Sequence, residues 1–378
     1  TRDLNLGKVP RYQLRYVRIR KESSLREAKS IAIGALCPSQ GAEKLETRGS
    51  VRFMDSLFWM GGRLATNLEE ISHDLSSLLK PGFWAVLGTF ENAWTLARFG
   101  TVVDAPFPEE KTEWRPITTE SWKSSLDSDS YCHYVSKIRN HIADGDVYQV
   151  NACRILSAPN GLNKDLKPLM RKILRENPAP FASYLQLPSI EIASASPERF
   201  ISITNRVLTS SPIKGTSASE NFLEKDRAEN LMIVDLIRND MSTTARIGSV
   251  TTPRLLATEK HPGLFHLVSD VRSELRNDCS ITDVLNAMMP PGSVSGAPKS
   301  SALRIIESNE GKRGPYCGAL GWVQGDCAEL AVGIRTFWQS NDRLNFGTGA
   351  GITWGSDPIL EWEETELKAR TLIGIASS

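Results

Sequence analysis

The chain has 378 residues, of which 40% are hydrophobic and 24% charged, and its 45 basic and 44 acidic side chains leave a formal net charge of +1. This composition is typical of a folded globular protein and excludes a disordered, collagen-like or coiled-coil chain. The balanced charge does not favour nucleic acid or a membrane surface as a partner. An anionic ligand therefore has to be bound by a focused site.

Signals for export or membrane insertion are weak in this sequence. The apolar run from Ile31 to Cys37 is far too short to cross a bilayer, which needs roughly 20 residues. The first four residues show no charged segment followed by an apolar one, so no signal peptide is expected. The six cysteines form no C-x-x-C pair, which argues against a zinc ribbon. We expect a cytoplasmic protein with free thiols.

The first third of the chain predicts short strands joined by loops. Residues 83–88 and 94–99 are aromatic and β-branched, and they predict two strands paired around a turn. Residues 105–116 contain three prolines and five charges, and they predict a linker.

Beyond residue 130 helices and clusters of strands alternate. Helices are predicted over residues 131–142, 166–173, 220–239, 285–289, 300–308 and 358–373. Strands are predicted over residues 147–156, 182–187, 200–203, 207–210, 332–338 and 344–346. Because the strands come in clusters, the pattern favours an α+β fold with largely antiparallel sheets over a doubly wound fold.

Charged side chains at helical spacing indicate two carboxylate pairs. Glu361, Glu364 and Lys368 share one face of the last predicted helix, and Asp226 and Glu229 are three residues apart on an earlier one. Mg²⁺ takes oxygen ligands and usually completes its shell with water and a substrate oxygen, so two such pairs can converge on one ion. Solvated, salt-bridged helix faces give the same spacing, and both interpretations stay open here.

Four other features each have a chemical and a structural interpretation. The glycine-rich residues 347–351 follow a predicted strand and suit either an anion cradle or a tight turn. Lys214, in a constrained Pro-Ile-Lys-Gly-Thr loop, is a candidate nucleophile or a solvated lysine. Glu198 is a candidate proton donor or a surface carboxylate paired with a neighbouring arginine. His266 has apolar neighbours that are typical of a core histidine.

Several segments, taken together in order and spacing, carry a resemblance. They are Gly145 to Asn151, Ser194 to Phe200, Pro212 to Thr216, Asp235 to Asp240, His266 to Ser269, Gly292 to Lys299, Arg313 to Gly318, Ile334 to Thr336, Gly349 to Gly351 and Glu361 to Arg370. The series resembles the chorismate-utilising enzymes, which include component I of anthranilate and aminodeoxychorismate synthases, isochorismate synthase and salicylate synthase. The resemblance covers about residues 119–374, whereas residues 1–118 match these enzymes only loosely.

Two positions bear on which member the chain resembles. Members that add water to chorismate carry a lysine at the place of Gln149, and glutamine cannot act as that base, which favours ammonia as the nucleophile. Lys214 replaces an alanine that is typical of anthranilate synthases and is the mark of aminodeoxychorismate synthases. The alternatives are an anthranilate synthase component I and a non-catalytic paralogue that binds an amidotransferase.

The resemblance also implies a mechanism. Lys214 attacks C2 of chorismate, Glu198 protonates the departing C4 hydroxyl, and His266 orients the C4 region. Ammonia then adds at C4 and expels the lysine, which gives 4-amino-4-deoxychorismate for 4-aminobenzoate and folate synthesis. The chain has no Gly-x-Cys-x-Gly elbow, so the resemblance implies a separate glutamine amidotransferase subunit as the ammonia source.

The remaining implied roles concern binding of the substrate and the metal. Mg²⁺ is expected at Glu229 and Glu364, with Asp226 and Glu361 as more distant or water-mediated ligands. The substrate carboxylates are expected at Tyr316, Arg335, Gly215, Thr216, Gly349, Ala350, Gly351 and Lys368. The implied fold is a large α+β sandwich around two packed, mostly antiparallel sheets. Residues 1–118 would complete this sandwich, and residues 119–378 would form the catalytic region.

Overall fold

The computed structural model describes residues 56–109, 111–161, 163–217, 220–261 and 264–378, with only the backbone described at residues 216, 217, 261 and 264. The described residues all lie within one compact unit. The apolar run at Ile31 to Cys37 and the start of the chain lie outside the described residues.

The described residues form eighteen strands and six helices. The strands are β1 (Leu57–Met60), β2 (Arg63–Ser72), β3 (Phe83–Gly88), β4 (Trp94–Asp104), β5 (Lys123–Ser124), β6 (Gln149–Pro159), β7 (Phe181–Leu187), β8 (Ile190–Ser196), β9 (Arg199–Thr204), β10 (Val207–Ser211), β11 (Ile213–Ser217), β12 (Thr251–His261), β13 (Leu264–Glu274), β14 (Gly296–Ala297), β15 (Ala319–Gln324), β16 (Cys327–Val332), β17 (Thr336–Ser340) and β18 (Arg343–Ile352). The helices are α1 (Ser128–Ala143), α2 (Lys167–Glu176), α3 (Glu224–Ser242), α4 (Ile281–Met288), α5 (Lys299–Asn309) and α6 (Pro358–Ala376).

The strands are hydrogen-bonded into one continuous sheet, and every strand pair within the described residues is antiparallel. Pairing runs from β6 through β18, β17, β8, β7, β1, β2, β4, β3, β15, β16, β9 and β10 to β13, which β11 and β12 join. This confirms the α+β class with antiparallel strands. The two sheets of the expected sandwich are joined by hydrogen bonds into a single curled sheet.

Two apolar clusters fill the space on either side of the sheet. The larger contains Trp84, Tyr131 and Ile138, which are fully buried. The smaller packs α2 and α6 against strand residues such as Phe337 and Phe346. Burying a large apolar side chain contributes about 1.5–3 kcal/mol, so these clusters fix where the helices that carry the site lie.

Helix α6 is also tied to the sheet by buried polar contacts. Arg154 on β6 donates through Nε to the Thr365 hydroxyl at 3.0 Å, and the Thr348 hydroxyl donates to the Thr365 carbonyl at 2.8 Å. Removing a buried partner of this kind costs about 1–3 kcal/mol. These bonds set the register of α6 against β18.

Several predicted elements agree with the structure and others do not. The strands predicted at residues 83–88 and 94–99 are confirmed as the antiparallel pair β3 and β4. The strand predicted over residues 332–338 is confirmed only at Thr336 to Trp338, in β17, and is wrong as a continuous element, because β16 ends at Val332 and Arg335 adopts a φ of +52°. The long hairpin of β12 and β13 is absent from the sequence prediction, since its charged residues hide the alternation of a strand.

The structure bears on two further expectations, that the cysteines are free thiols and that the chain lacks a membrane-spanning segment. Free thiols are confirmed at Cys132, Cys153, Cys279 and Cys317, whereas Cys327 is disulfide-bonded. No helix in the described part of the chain has the length and apolar character needed to cross a membrane.

Candidate active site

The Lys214 side chain extends from β11 towards Gly351 of β18, beside α3, and the space between these three elements is here called the cleft. Its Nζ atom is 3.7 Å from the point that a Cβ atom on Gly351 would occupy. The next residue, Gly215, has a φ of +84° and lies so close to α3 that a Cβ there would be 3.0 Å from the Asp226 Cβ. Glycine is therefore required at this position. Lys214 is thus on a strand rather than in the predicted loop, and its side chain is directed by the contact between β11 and α3.

The charges around Lys214 are carboxylates. Within the described residues Lys214 has no hydrogen bond or ion pair, but its charge acts on Glu198, Glu229 and Glu364 and favours the ionised form of each. A half-buried ammonium among three carboxylates fits the candidate nucleophile better than a solvated lysine.

Glu198, between β8 and β9, is 4% exposed. Burial raises the pKa of its carboxyl to about 7, although the Ser293 hydroxyl, the Lys214 charge and the Ile213 N–H all favour the ionised form. The neighbouring Arg199 pairs instead with Glu329 at 2.8 Å, so the interpretation of Glu198 as an arginine-paired surface carboxylate is wrong. A carboxyl with a pKa near neutrality can deliver a proton at physiological pH.

Gln149 at the start of β6 is 1% exposed and directs its amide at Gly351. A Cβ on Gly351 would lie 2.2 Å from the Gln149 Nε2 atom, so the amide occupies the space that a side chain at 351 would need. The Gln149 Oε1 atom is buried with no hydrogen-bond partner among the described groups. A buried oxygen left without a donor costs about 1–3 kcal/mol, so this amide is suited to a ligand that donates a hydrogen bond.

Arg335 and Tyr316 were both expected to bind a carboxylate. Burial lowers the pKa of the Arg335 guanidinium, which has no hydrogen-bond or ion-pair partner within the described residues. A desolvated and unpaired cation of this kind favours an anionic ligand. Tyr316 packs its ring on Gly347, where a Cβ would lie 2.0 Å from the ring, and its hydroxyl is hydrogen-bonded with the Cys153 thiol. Its role toward a carboxylate stays a prediction.

The glycine-rich residues 347–351 lie within β18 rather than in a loop or turn. Beyond Phe346 this strand pairs with β6 alone among the described strands, and its other edge lies on the side of Lys214. Gly349 is required because a Cβ there would be 2.5 Å from the Ala152 carbonyl oxygen. Lys368 donates to the Gly349 carbonyl at 3.1 Å. Backbone N–H groups on such an edge can approach an anion closely.

The predicted carboxylate pairs face one another across α3 and α6. Burial raises the pKa of Glu229, and the negative charges of Asp226 and Glu364 raise it further. The positive charges of Lys214 and Lys225 lower it in part. Burial also disfavours the ionised Glu364, but the Lys368 ammonium, at 2.6 Å, holds the Glu364 pKa below its usual value with help from other lysines. Glu361 is 4% exposed.

Asp226 also caps the N-terminus of helix α3. Its Oδ2 atom accepts a hydrogen bond from the Leu223 N–H at 3.0 Å, which caps the first turn of α3. The helix is held against β13 by Asn230, which donates to the Leu267 carbonyl at 3.2 Å and accepts from the Ser269 hydroxyl at 2.5 Å. These bonds place Glu229 over the cleft.

The donor set suits a magnesium ion that is only partly held by protein. Among the described residues no three His, Cys, Asp or Glu side chains converge as a ready-made metal cage. The carboxylates of Glu229 on α3 and of Glu361 on α6 nevertheless lie on either side of the Lys225 ammonium, and the half-exposed Glu364 is close enough to Glu229 to raise its pKa. Mg²⁺ commonly takes one or two carboxylates with water and substrate oxygens. These residues therefore fit the ion that the sequence implies.

His266 is 2% exposed on β13, opposite Thr216 of β11 and Glu259 of β12. It is a buried histidine on the strand that supports Lys214. This placement is compatible with both interpretations of the sequence, and its orienting role stays a prediction.

Two residues near the cleft were not singled out from the sequence. Ser293, in a 3₁₀ turn (Gly292–Val294), donates to Glu198. Lys225 lies between Glu229 and Glu361, with Nζ 3.9 and 3.4 Å from their oxygens. The Gly-Ser-Val segment was already noted as part of the resemblance and could have led to Ser293. The spacing of Lys225 and Glu229, four residues apart on one helix, could have led to Lys225.

Comparison with known families agrees with this geometry. A model of the chorismate binding enzymes matches residues 91–374. The chain is 35% identical over 274 residues to "Aminodeoxychorismate synthase component 1" of Bacillus subtilis (strain 168), which covers 68% of this chain and 57% of that protein. It is 33% identical over 302 residues to "Anthranilate synthase component 1 3" of Haloarcula marismortui, which covers 75% of this chain and 59% of that one.

The chain therefore spans less than two thirds of the length of these curated relatives. Among solved structures, anthranilate synthase component I from Streptococcus pneumoniae TIGR4 superposes with a TM-score of 0.73 and 22% identity. The match covers 88% of this chain and 95% of that one. At this identity the likeness supports the fold.

Proposed function

Since its match to the family model extends over residues 91–374, the chain belongs to the chorismate binding enzymes, and we propose that it converts chorismate and ammonia to 4-amino-4-deoxychorismate. This reaction is an amino transfer in 4-aminobenzoate and folate synthesis, and we place it in the cytoplasm. Relatives named aminodeoxychorismate synthase, at 35–38% identity, support the choice of product.

One observation carries the proposal: the buried Glu198 lies close enough to Lys214 for the lysine charge to favour its ionised form. Covalent attack needs a neutral amine, and departure of a hydroxyl needs an acid. Transfer of one proton from the Lys214 ammonium to the Glu198 carboxylate supplies both forms at once. The pKa of about 7 at Glu198 makes that transfer less costly than it would be to an ordinary carboxylate.

The reaction then proceeds as two successive substitutions on the ring, in which each new bond replaces one that breaks. The Lys214 amine forms a bond to C2 of the ring, the two conjugated ring double bonds each shift by one position, and the C4–O bond breaks as Glu198 gives its proton to the departing hydroxyl. Water leaves. Ammonia next forms a bond to C4, both double bonds shift back, and the C2–N bond breaks to release Lys214. The proton lost by ammonia is taken up by Glu198 or Lys214.

Gln149 supports ammonia as the second nucleophile. Its amide lies beside Gly351, with Nε2 towards the glycine, and its buried Oε1 atom has an unused acceptor site. Ammonia has N–H groups to donate to that oxygen and keeps its lone pair for C4. Glutamine cannot remove a proton from water, so the same position gives no help to hydration of chorismate.

Arg335 is the proposed anchor of the enolpyruvyl carboxylate, because its guanidinium is half-buried, has no partner among the described groups and can form two parallel hydrogen bonds. The open edge of β18 at Gly349 to Gly351, with Gly215 and Lys368, is the proposed cradle for the ring carboxylate. Glu229 and Glu364 would hold Mg²⁺, which would neutralise the ring carboxylate when bound.

A partner subunit completes the proposal. The Bacillus subtilis relative is named as component 1, which implies a further component. A glutamine amidotransferase would therefore supply the ammonia in the cell, and free ammonium would replace it in an assay.

The second candidate is anthranilate formation, which the similarity to the Haloarcula marismortui protein favours. The test is incubation of the purified chain with chorismate, Mg²⁺ and ammonium, with the products separated by mass and fluorescence. Aminodeoxychorismate without pyruvate supports the proposal, and anthranilate with pyruvate refutes it.

Lys214→Ala and Lys80→Ala are run beside the wild-type chain. Lys80 lies in an exposed ion pair with Glu70 and serves as the matched control. We expect Lys214→Ala to abolish or divert product formation and Lys80→Ala to leave it intact. Equal turnover in both variants would exclude Lys214 as the nucleophile.

A further inference from the structure

Lys225 places an ammonium group between the carboxylates of two helices. Its Nζ atom is 3.4 Å from Oε1 of Glu361 on α6 and 3.9 Å from Oε1 of Glu229 on its own helix. Those side chains are only 6% and 14% exposed, whereas the Lys225 side chain is 44% exposed. The Lys225 charge also favours the ionised form of Glu364.

This contact differs from an ordinary surface ion pair. An exposed pair four residues apart on a helix contributes a few tenths of a kcal/mol and is weakened by salt. Here the carboxylates are nearly buried and come from two elements, so their mutual repulsion is poorly screened unless a cation lies between them. Lys214 contributes a charge to Glu229 from the sheet side, and the Lys225 ammonium lies within 4 Å of both Glu229 and Glu361.

The Lys225 side chain is partly exposed, so its ammonium group can move from the carboxylates into solvent. Its flexible stem runs along the solvent side of α3, so the ammonium can leave the carboxylates and become hydrated while the helix stays in place. Glu229 and Glu361 are fixed by the packing of α3 and α6 and cannot follow it. The cation can therefore be exchanged without moving the backbone.

We propose that Lys225 is an internal counter-cation that occupies the magnesium position in the free enzyme and competes with Mg²⁺ for it. This inference rests on the proposed function. Mg²⁺ enters as the ammonium withdraws, so Lys225 weakens binding of the metal until the chorismate carboxylate adds its own charge. It also keeps α3 and α6 together when the metal is absent.

The test measures Mg²⁺ binding to the full chain by calorimetry, without chorismate, so that turnover plays no part. We expect Lys225→Met to bind Mg²⁺ roughly tenfold more tightly than the wild-type chain, because one competing charge is removed. Without metal the same variant should have a lower Tm, and Mg²⁺ should restore it. Lys225→Arg keeps the charge and should bind Mg²⁺ like the wild-type chain.

Lys80→Met removes a lysine from an ion pair at a distant surface and should leave Mg²⁺ binding unchanged. Equal or weaker binding by Lys225→Met, with the wild-type chain binding normally, would overturn this inference alone. Absence of Mg²⁺ binding in both the wild-type chain and Lys225→Met would overturn the inference together with the metal site of the proposed function. A similar gain in Lys80→Met would show that the effect is one of net charge.

Discussion

Replacing Glu198 by glutamine should make the protein more stable and less active at the same time. Burial raises the pKa of this carboxyl from 4.5 to about 7, so the folded chain holds a proton that the unfolded chain releases above pH 4.5. An acid whose pKa is higher in the folded than in the unfolded chain lowers the free energy of unfolding as the pH rises from 4.5 to about 7. Above the folded pKa this loss of stability is complete.

The size of the effect follows from that difference in pKa. Each pKa unit corresponds to about 1.4 kcal/mol, so the ionised Glu198 costs about 3 kcal/mol of folding free energy at pH 8. Glu198→Gln removes this cost and keeps an oxygen that can accept from the Ser293 hydroxyl and the Ile213 N–H. The same variant loses the acid, which contributes about 10²–10⁴-fold to the rate.

Glu191→Gln is a matched control. Glu191 is also buried, and burial raises its pKa to about 7 against hydrogen bonds from Tyr184 and the Leu166 N–H. It lies on β8 under α2, outside the cleft, so its replacement should shift stability with pH in the same way and leave turnover intact. The assay is Tm from pH 4.5 to 8.5, beside the rate with chorismate and ammonium. A Glu198→Gln variant whose advantage in Tm does not grow between pH 4.5 and 7 would refute the argument.

Three further predictions concern the cleft. Gly351→Ala should reduce the rate with ammonium at least tenfold, because its Cβ would meet the Gln149 amide at 2.2 Å, whereas Gly355→Ala, which has nothing within 4 Å, should not. Arg335→Met should raise KM for chorismate by about 100-fold, and a change in kcat alone would contradict its role as an anchor. The rate should rise through pH 7, because loss of the Glu198 proton leaves the one proton that the mechanism moves between Lys214 and Glu198, and Ser293→Ala should move that rise to higher pH, because its hydrogen bond favours the ionised form. A pH profile unchanged by this substitution would contradict the contact.

The long periodic elements could be predicted from the sequence because their packing follows local patterns. Apolar spacing in α1 and α6 and the aromatic strands β3 and β4 depend on residues close together in the chain. The hairpin of β12 and β13 could not be found in this way, because its charged residues make it look like a solvated segment. Arg254 pairs with Glu259 on its own strand and with Asp270 on the neighbouring strand, and the sequence does not show these partners.

The candidate site could be predicted in its residue types but not in its arrangement. Lys214 and Gly351 are far apart in sequence, and only the curling of the sheet brings them within 3.7 Å, measured to a Cβ placed on the glycine. The Gln149 Oε1 atom is without a partner among the described groups because it is buried, and the spacing of residues in the sequence does not indicate burial. The same holds for Lys225, which looks like an ordinary helix lysine until α6 brings Glu361 beside it.

The proposed mechanism requires a covalent bond between Lys214 and the substrate, and a quenched reaction can detect that bond. The chain is mixed with chorismate and Mg²⁺ without ammonium, quenched with acid and digested, and its peptides are analysed by mass. The account predicts an adduct on Lys214 with the mass of chorismate less one water. This adduct should disappear when ammonium is added. It should also be absent from Lys214→Ala and persist in Glu191→Gln. Full turnover with ammonium but no adduct on Lys214 under any quench would contradict the claim and would favour direct attack of ammonia on the ring.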